Sequence, residues 1–211
     1  MIPTKEELFN SLAARHGVSL QKKLSETTIA VCGLGGLGSN VAISLARSGI
    51  GRLLLIDFDK VDLSNINRQQ YSISQLGMMK TEAMKDNIKC FAPYCETEGY
   101  NVKLNEENCI SLLREAEIIC ECFDNPECKA MFVNTVSENY PDKYIISASG
   151  MSGLHSPNKI QTRKITKRLY ICGDGESDVS VDGTLFAPRV MLCAAHQATT
   201  VLRILAGEFN E

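Results

Sequence analysis

A chain of 211 residues, 44% hydrophobic and 22% charged, is long enough to enclose one well-filled core, and it carries no low-complexity tract or internal repeat. A formal net charge of -3 leaves no global basic field for nucleic acid. The opening residues carry Lys5, Glu6, Glu7 and Arg15 in place of an apolar leader, and no stretch reaches the length of a bilayer span, so a cytoplasmic protein with neither nucleic acid nor a membrane as partner is expected.

Thr4 to Gly17 reads as a helix, with Thr4 and Glu7 as a capping box, Leu8 and Leu12 one turn apart, and Gly17 as terminator. It is read as a helical appendage over 1–20, followed by a nucleotide-binding core over 21–153 and a C-terminal part over 154–211, all within a single domain. From Ile29 the pattern alternates. The continuous apolar runs Ile29–Cys32, Leu53–Ile56, Ile118–Cys120 and Tyr144–Ile146 predict strands buried on both faces, and helices are expected near 36–48, 74–90, 106–114 and 126–139. After Ser149–Gly153 come shorter, more polar strands (Lys159–Ile165 and Leu169–Cys172), a Gly/Asp-rich loop, and an amphipathic helix from about Pro188 to Ala206. The expected fold is α/β: a doubly wound, mainly parallel Rossmann-like sheet with a short mixed or antiparallel C-terminal extension and an N-terminal helix.

The nine cysteines are odd in number and lack paired Cys-x-x-Cys knuckles, so free thiols are expected and a structural zinc is not. Gly33-x-Gly35-x-x-Gly38 follows the first strand directly and opens a helix, a setting in which backbone N–H groups meet an anion. The same glycines also suit close packing of a helix on a sheet. Asp57 ends the second strand about twenty residues on, where an acid holds ribose hydroxyls. The loop that follows collects Asn65, Arg68 and Gln69, with Lys80 on the next helix. A dehydrogenase has little use for cations there, whereas a pyrophosphate leaving group does; singly, each is an ordinary surface cation.

"GLGGLGSN", "DFDKVDLSNINRQ", Lys80 and "FDNPE" at Phe123–Glu127 resemble the adenylation domain of the ubiquitin-activating-enzyme superfamily, in particular its ThiF/MoeB branch. The likeness runs from about Gln21 to Gly153, and the short length with the tail "APRVMLCAAHQ" is most similar to compact ThiF-like proteins. The resemblance implies a homodimer that uses ATP and Mg2+ to adenylate the C-terminal Gly-Gly carboxylate of a small ubiquitin-like sulfur carrier, in thiamine thiazole synthesis. It sets Gly33, Gly35, Gly36 and Gly38 around the nucleotide with Gln69, Asp57 on the ribose, Asn65, Arg68 and Lys80 on the phosphates, and Asp124 on the metal. Read locally, Asp124-Asn125-Pro126 is equally a helix start.

Longer relatives hold a zinc ion with two Cys-x-x-Cys pairs, which this chain lacks. Relatives also use a crossover-loop cysteine, for which Cys172 is a poor positional match and reads better as a small buried hydrophobe, and an N-terminal arginine, for which Arg15 is the candidate. His196 reads as a core or interface residue, His16 as a helix-end cation, and His155 as a neighbour of the site. Leu8, Phe9 and Leu12 fall outside the core so drawn, an apolar face that calls for a partner. Two alternatives remain open at this point: adenylation of another carboxylate, on a modified tRNA base or a peptide, and a nicotinamide-dependent oxidoreductase or nucleotide-binding module.

Overall fold

Side chains along each central strand alternate between two dry surfaces. Ile29, Val31, Leu53, Leu55, Ile118 and Cys120 pack on one side of the sheet, and Ala30, Cys32, Leu54, Ile56 and Ile119 on the other, all of them buried. Strands with no wet face require helices on both sides. In the computed structural model, which describes residues 2–208, the chain runs α1 (Lys5–His16), α2 (Val18–Glu26), β1 (Thr28–Cys32), α3 (Gly36–Arg47), β2 (Arg52–Ile56), α4 (Lys80–Lys89), β3 (Glu96–Tyr100), α5 (Glu106–Leu112) and β4 (Ile118–Glu121). It continues through α6 (Pro126–Asn139), β5 (Tyr144–Ala148), β6 (Gln161–Lys164), β7 (Leu169–Gly173), the short α7 (Val179–Asp182) and α8 (Ala187–Ala206).

The sheet order is β3-β2-β1-β4-β5-β7-β6, parallel throughout except where β6 meets β7. Helices α2, α3, α4 and α8 cover one face through Leu24, Leu45, Met84 and Val201, while α5 and α6 cover the other through Cys109, Phe132 and Val136. Because β2 lies on one side of β1 and β4 on the other, the strand order reverses at β1. This opens a crevice at the carboxyl ends of β1 and β4, where open α/β sheets bind ligands. The doubly wound fold, the four apolar strands and the antiparallel C-terminal pair agree with the sequence reading.

Four local expectations are corrected. A second helix, α2, follows Gly17 immediately, and this glycine (φ +92°) ends α1 at a turn most side chains resist. Strand β3 has the polar sequence Glu-Thr-Glu-Gly-Tyr; as a sheet edge it needs no apolar run, and its Glu96 and Glu98 pair with Arg52 instead. The helix expected from 74 starts only at Lys80, because Gly77 (φ +84°) turns the chain back so that Val61 and Gly77 exchange backbone bonds with Met78 and Val61. Leu8, Phe9 and Leu12 are half-buried against the body, with Leu12 close to Gly49 at the amino end of β2, so this helix is not the bare apolar face expected. No helix among the described residues is long and apolar enough to cross a membrane.

Phe132 is fully buried between α6 and the sheet, edge-on to Phe123. Phe132→Ala is expected to cost about 3–5 kcal/mol, read as a lower urea midpoint with little change in slope. His196 on α8 sits with Nδ1 3.0 Å from the Thr162 hydroxyl of β6, and burial holds its pKa below the ordinary 6.5. The unfolded chain then binds the proton more readily, so stability falls as pH drops below about 6.5 towards the folded pKa and is indifferent to this group above it. Thermal unfolding of His196→Gln should lose that part of the slope as the pH falls below about 6.5.

Candidate active site

The β1–α3 turn is shaped by two glycines that no other residue replaces. Gly33 adopts φ +89° and a Cβ there would stand 3.0 Å from the Cys122 carbonyl; a Cβ at Gly38 would overlap the Gly33 carbonyl oxygen. Helix α3 can therefore press its first turn against β1 and β4. It begins at Gly35 with no side-chain cap, which leaves its leading N–H groups to a ligand. Asp57, buried at the end of β2, accepts from the Leu34 amide at 2.6 Å and from the Asp59 amide at 2.7 Å. Burial pushes its pKa up, with Lys80 and these two amides pulling it back.

The loop after β2 is strapped onto this turn. Tyr71 donates to the Leu34 carbonyl at 2.9 Å, Gln70 donates to Asn40 Oδ1 at 2.7 Å, and Asn40 Nδ2 bridges the carbonyls of Gly36 and Arg68 at 2.6 and 3.2 Å. The straps fix Arg68 and Gln69 beside the glycines. Arg68 donates from Nη1 to Ser64 O and Asn67 Oδ1, yet its Nε, like Gln69 Oε1, is buried with no hydrogen-bond partner. Unmet polar atoms at a cavity wall are what a polar ligand would satisfy. Lys80 is 4% exposed and pairs with Asp59 at 2.8 Å, so its charge is already shared with a carboxylate.

On the far side of the crevice, Glu121 is fully buried at the end of β4. It accepts from the Phe123 amide at 2.7 Å, from Lys129 Nζ at 2.8 and 3.0 Å, and from the Ser147 hydroxyl of β5. Gln197 of α8 donates to the carbonyls of Glu121 and Ile146, both at 3.0 Å, holding β4 and β5 together at their ends. The loop that leaves this cluster carries Asp124. Asn125, not Asp124, caps α6 by accepting from the Cys128 amide at 2.8 Å. Asp124 is exposed to the cavity and makes no hydrogen bond or ion pair among the described residues.

These segments enclose a cleft of about 630 Å³ across the carboxyl ends of the strands. Of the residues singled out in the sequence, Gly33, Gly35, Gly36, Asp57, Asn65, Arg68, Gln69, Lys80 and Asp124 line it together. Gly38 does not line it; its part is the close approach beneath the turn. Cys172 is fully buried outside the cleft, and burial raises its thiol pKa. The thiols that do line the cleft are Cys122 and Cys128. His155 faces a smaller adjoining cleft beside Asp182, and Arg15 is exposed on α1, whose neighbour Leu12 packs at the amino end of β2. Sequence reasoning missed Glu121, Lys129, Asp174, Arg189 and Gln197; the available signals were "GDG" in the Gly/Asp-rich loop and "APRVMLCAAHQ" in the last helix, whose polar residues are given no site role apart from His196 as a core or interface residue. All nine cysteines are free, and no group of three or more potential metal-ligating side chains occurs among the described residues.

A glycine turn at the reversal of a doubly wound sheet, with an acid on β2 and cations in the next loop, defines a nucleotide-binding α/β protein. The chain belongs to the ThiF family, whose model matches residues 9–211. It is 37% identical over 110 residues to the adenylyltransferase and sulfurtransferase MOCS3 of Caenorhabditis briggsae (52% of this chain, 27% of the relative). It is 32% identical over 170 residues to the tRNA threonylcarbamoyladenosine dehydratase of Haemophilus influenzae (80% of this chain, 64% of the relative). The chain thus spans under two thirds of the length of these relatives. In fold it is similar to the E. coli tRNA N6-threonylcarbamoyladenosine dehydratase TcdA crystallised with ATP, with a TM-score of 0.86 at 21% identity over 99% of this chain and 98% of that one.

Lys129→Met would leave the Glu121 carboxylate buried without its cation. A loss of roughly 3–5 kcal/mol in urea unfolding is expected, with Lys129→Arg retaining most of the stability.

Proposed function

We propose that this protein is an ATP-dependent adenylyltransferase that activates the C-terminal Gly-Gly carboxylate of a small ubiquitin-like sulfur carrier, as a single domain working as a homodimer, in thiamine thiazole synthesis. The observation that carries the reading is the convergence, in one cleft, of the uncapped α3 turn, Asp57, the partly unsatisfied Arg68 and Gln69, Lys80, and an unpaired Asp124.

A carboxylate is ionised at neutral pH and needs no general base to attack phosphorus. Its oxygen forms the new bond to the α-phosphorus while the bond to the bridging oxygen of the β-phosphate breaks, and pyrophosphate leaves with the electron pair. The protein's task is to hold the reactants in line and to neutralise the leaving group. Asp57 would accept from the ribose hydroxyls, the α3 amides and Asn65 would hold phosphate oxygens, and Arg68 would bring its guanidinium charge to them. Lys80 contributes by sharing its ammonium between Asp59 and the triphosphate. Asp124, an exposed carboxylate facing the cleft, would hold Mg2+, which when bound would screen the triphosphate charge.

A second reading, adenylation of a carboxylate on a modified tRNA base, is favoured by the likeness to the H. influenzae dehydratase over 80% of this chain. A nicotinamide oxidoreductase is disfavoured by the cations at the β2 loop.

Calorimetry should show binding of MgATP without comparable affinity for NAD; preferential NAD binding would sink the proposal. Exchange of labelled pyrophosphate into ATP should depend on a Gly-Gly carrier, and dependence on tRNA instead would move the reading to the second class. Arg68→Ala and Asp124→Ala are each expected to slow exchange roughly a hundredfold to a thousandfold. Cys172→Ala should leave it near wild type, since no thiolate attacks phosphorus. Light scattering is expected to give the dimer mass.

A further inference from the structure

Beyond β5 the wall of the cleft is made of two loops without regular structure, and both close on one ion pair. Asp174, just after β7, and Arg189, in the first turn of α8, have side chains only 3% and 6% exposed and bond to each other. Arg189 spends its remaining donors on the loop after β5: Nε to the Ser152 carbonyl at 3.0 Å, Nη1 to the carbonyls of His155 and Ser156 at 2.7 and 3.0 Å. Asp174 Oδ1 gathers the other loop, accepting from the amides of Glu176 and Ser177 at 2.9 Å each and from the Ser177 hydroxyl at 3.0 Å.

The backbone around the pair admits almost no alternative. Gly150 and Gly175 have φ of +81° and +73°; a Cβ on Gly150 would overlap Asp174 Oδ1, and one on Gly175 would overlap the Arg163 guanidinium. Asp182 adds a second tie, accepting from Ser152 Oγ at 2.5 Å, His155 Nε2 at 2.9 Å and the Asp178 amide at 3.0 Å. Burial alone would raise the Asp174 pKa, but the Ser177 and Glu176 amides and Arg189 hold it below the ordinary value, so the pair stays ionised.

A buried ion pair adds little net stability over an apolar replacement, whereas its fixed geometry selects one arrangement of the segments that meet on it. Here those segments are the parts of the cleft wall formed by Ser149–Ser152 and Ser177–Val179. A nucleotide held by Asp57 and the β1–α3 turn would share this cleft with the wall, leaving the wall to meet the attacking carboxylate. Resting on the adenylation reading above, we propose that Arg189, through Asp174, is the positioning residue for the carboxylate-bearing substrate and leaves nucleotide binding untouched.

Arg189→Lys keeps the charge but cannot reach all four acceptors. Calorimetry should give an MgATP affinity within about twofold of wild type, while the KM for a Gly-Gly carrier in pyrophosphate exchange rises roughly tenfold or more. Amide hydrogen exchange should quicken at Glu176 and Ser177 and stay unchanged at Leu34, whose amide Asp57 holds. A fall in MgATP affinity parallel to the loss of exchange, or unchanged protection at Glu176 and Ser177, would overturn the proposal. Asp174→Asn, which keeps the size of the side chain while removing the charge that faces Arg189, should reproduce the pattern and decides the matter if the lysine variant fails to fold. Should wild-type protein bind no MgATP, the adenylation reading fails by itself; a carboxylate-substrate role for Arg189 then fails with it, while the amide exchange separately decides whether the pair holds the wall.

Discussion

The close approach of α3 to the end of β1 is the constraint on which the rest of this molecule depends. Gly38 under the Gly33 carbonyl lets the helix start within van der Waals contact of β4, which brings the free amides of its first turn over the point where the sheet order reverses. A methyl group at either glycine would push the helix outward. The Asn40 bonds to the Gly36 and Arg68 carbonyls would then lose their geometry, and with them the register of the β2 loop. The loop's charged residues are held by backbone packing and a few amide side chains more than by charge pairing.

Opposing that turn is a buried polar floor. Glu121, Lys129, Ser147 and Gln197 tie β4, β5, α6 and α8 at the carboxyl end of the sheet, and every oxygen of the Glu121 carboxylate finds a donor. Such a network is costly unless complete, and when complete it fixes a unique arrangement. Its consequence lies one step away, in the loop 122–125: with Glu121 holding the Phe123 amide and Asn125 capping α6, Asp124 is left as the one carboxylate of that loop with no internal task.

The parts of the fold legible in the sequence are those whose cause is local. Continuous apolar runs marked β1, β2, β4 and β5, because a strand buried on both faces must be apolar at every position. Strand β3 escaped, since an edge strand with Arg52 beside it is stable with glutamates. The candidate site divides the same way. The glycines and Asp57 are readable because a turn of this shape imposes residue types within a few positions, and the loop residues 65–69 follow closely. Arg189 meets Ser152 across 37 residues of chain and Gln197 meets Glu121 across 76, so no spacing in the sequence announces either bond.

Read from this division, the two sides of the cleft differ in kind. The glycine-turn side rests on backbone conformation, which glycine chemistry fixes within one supersecondary unit. The other side rests on side-chain bonds between segments distant in the chain, Arg189 to Ser152 and Gln197 to Glu121. Breaking such a bond would loosen the loops that meet on it and cost stability where it leaves a buried charge unpaired. Loops held through long-range side-chain bonds can change what they present to a second substrate without altering the glycine turn, because the two sides of the cleft have separate structural causes.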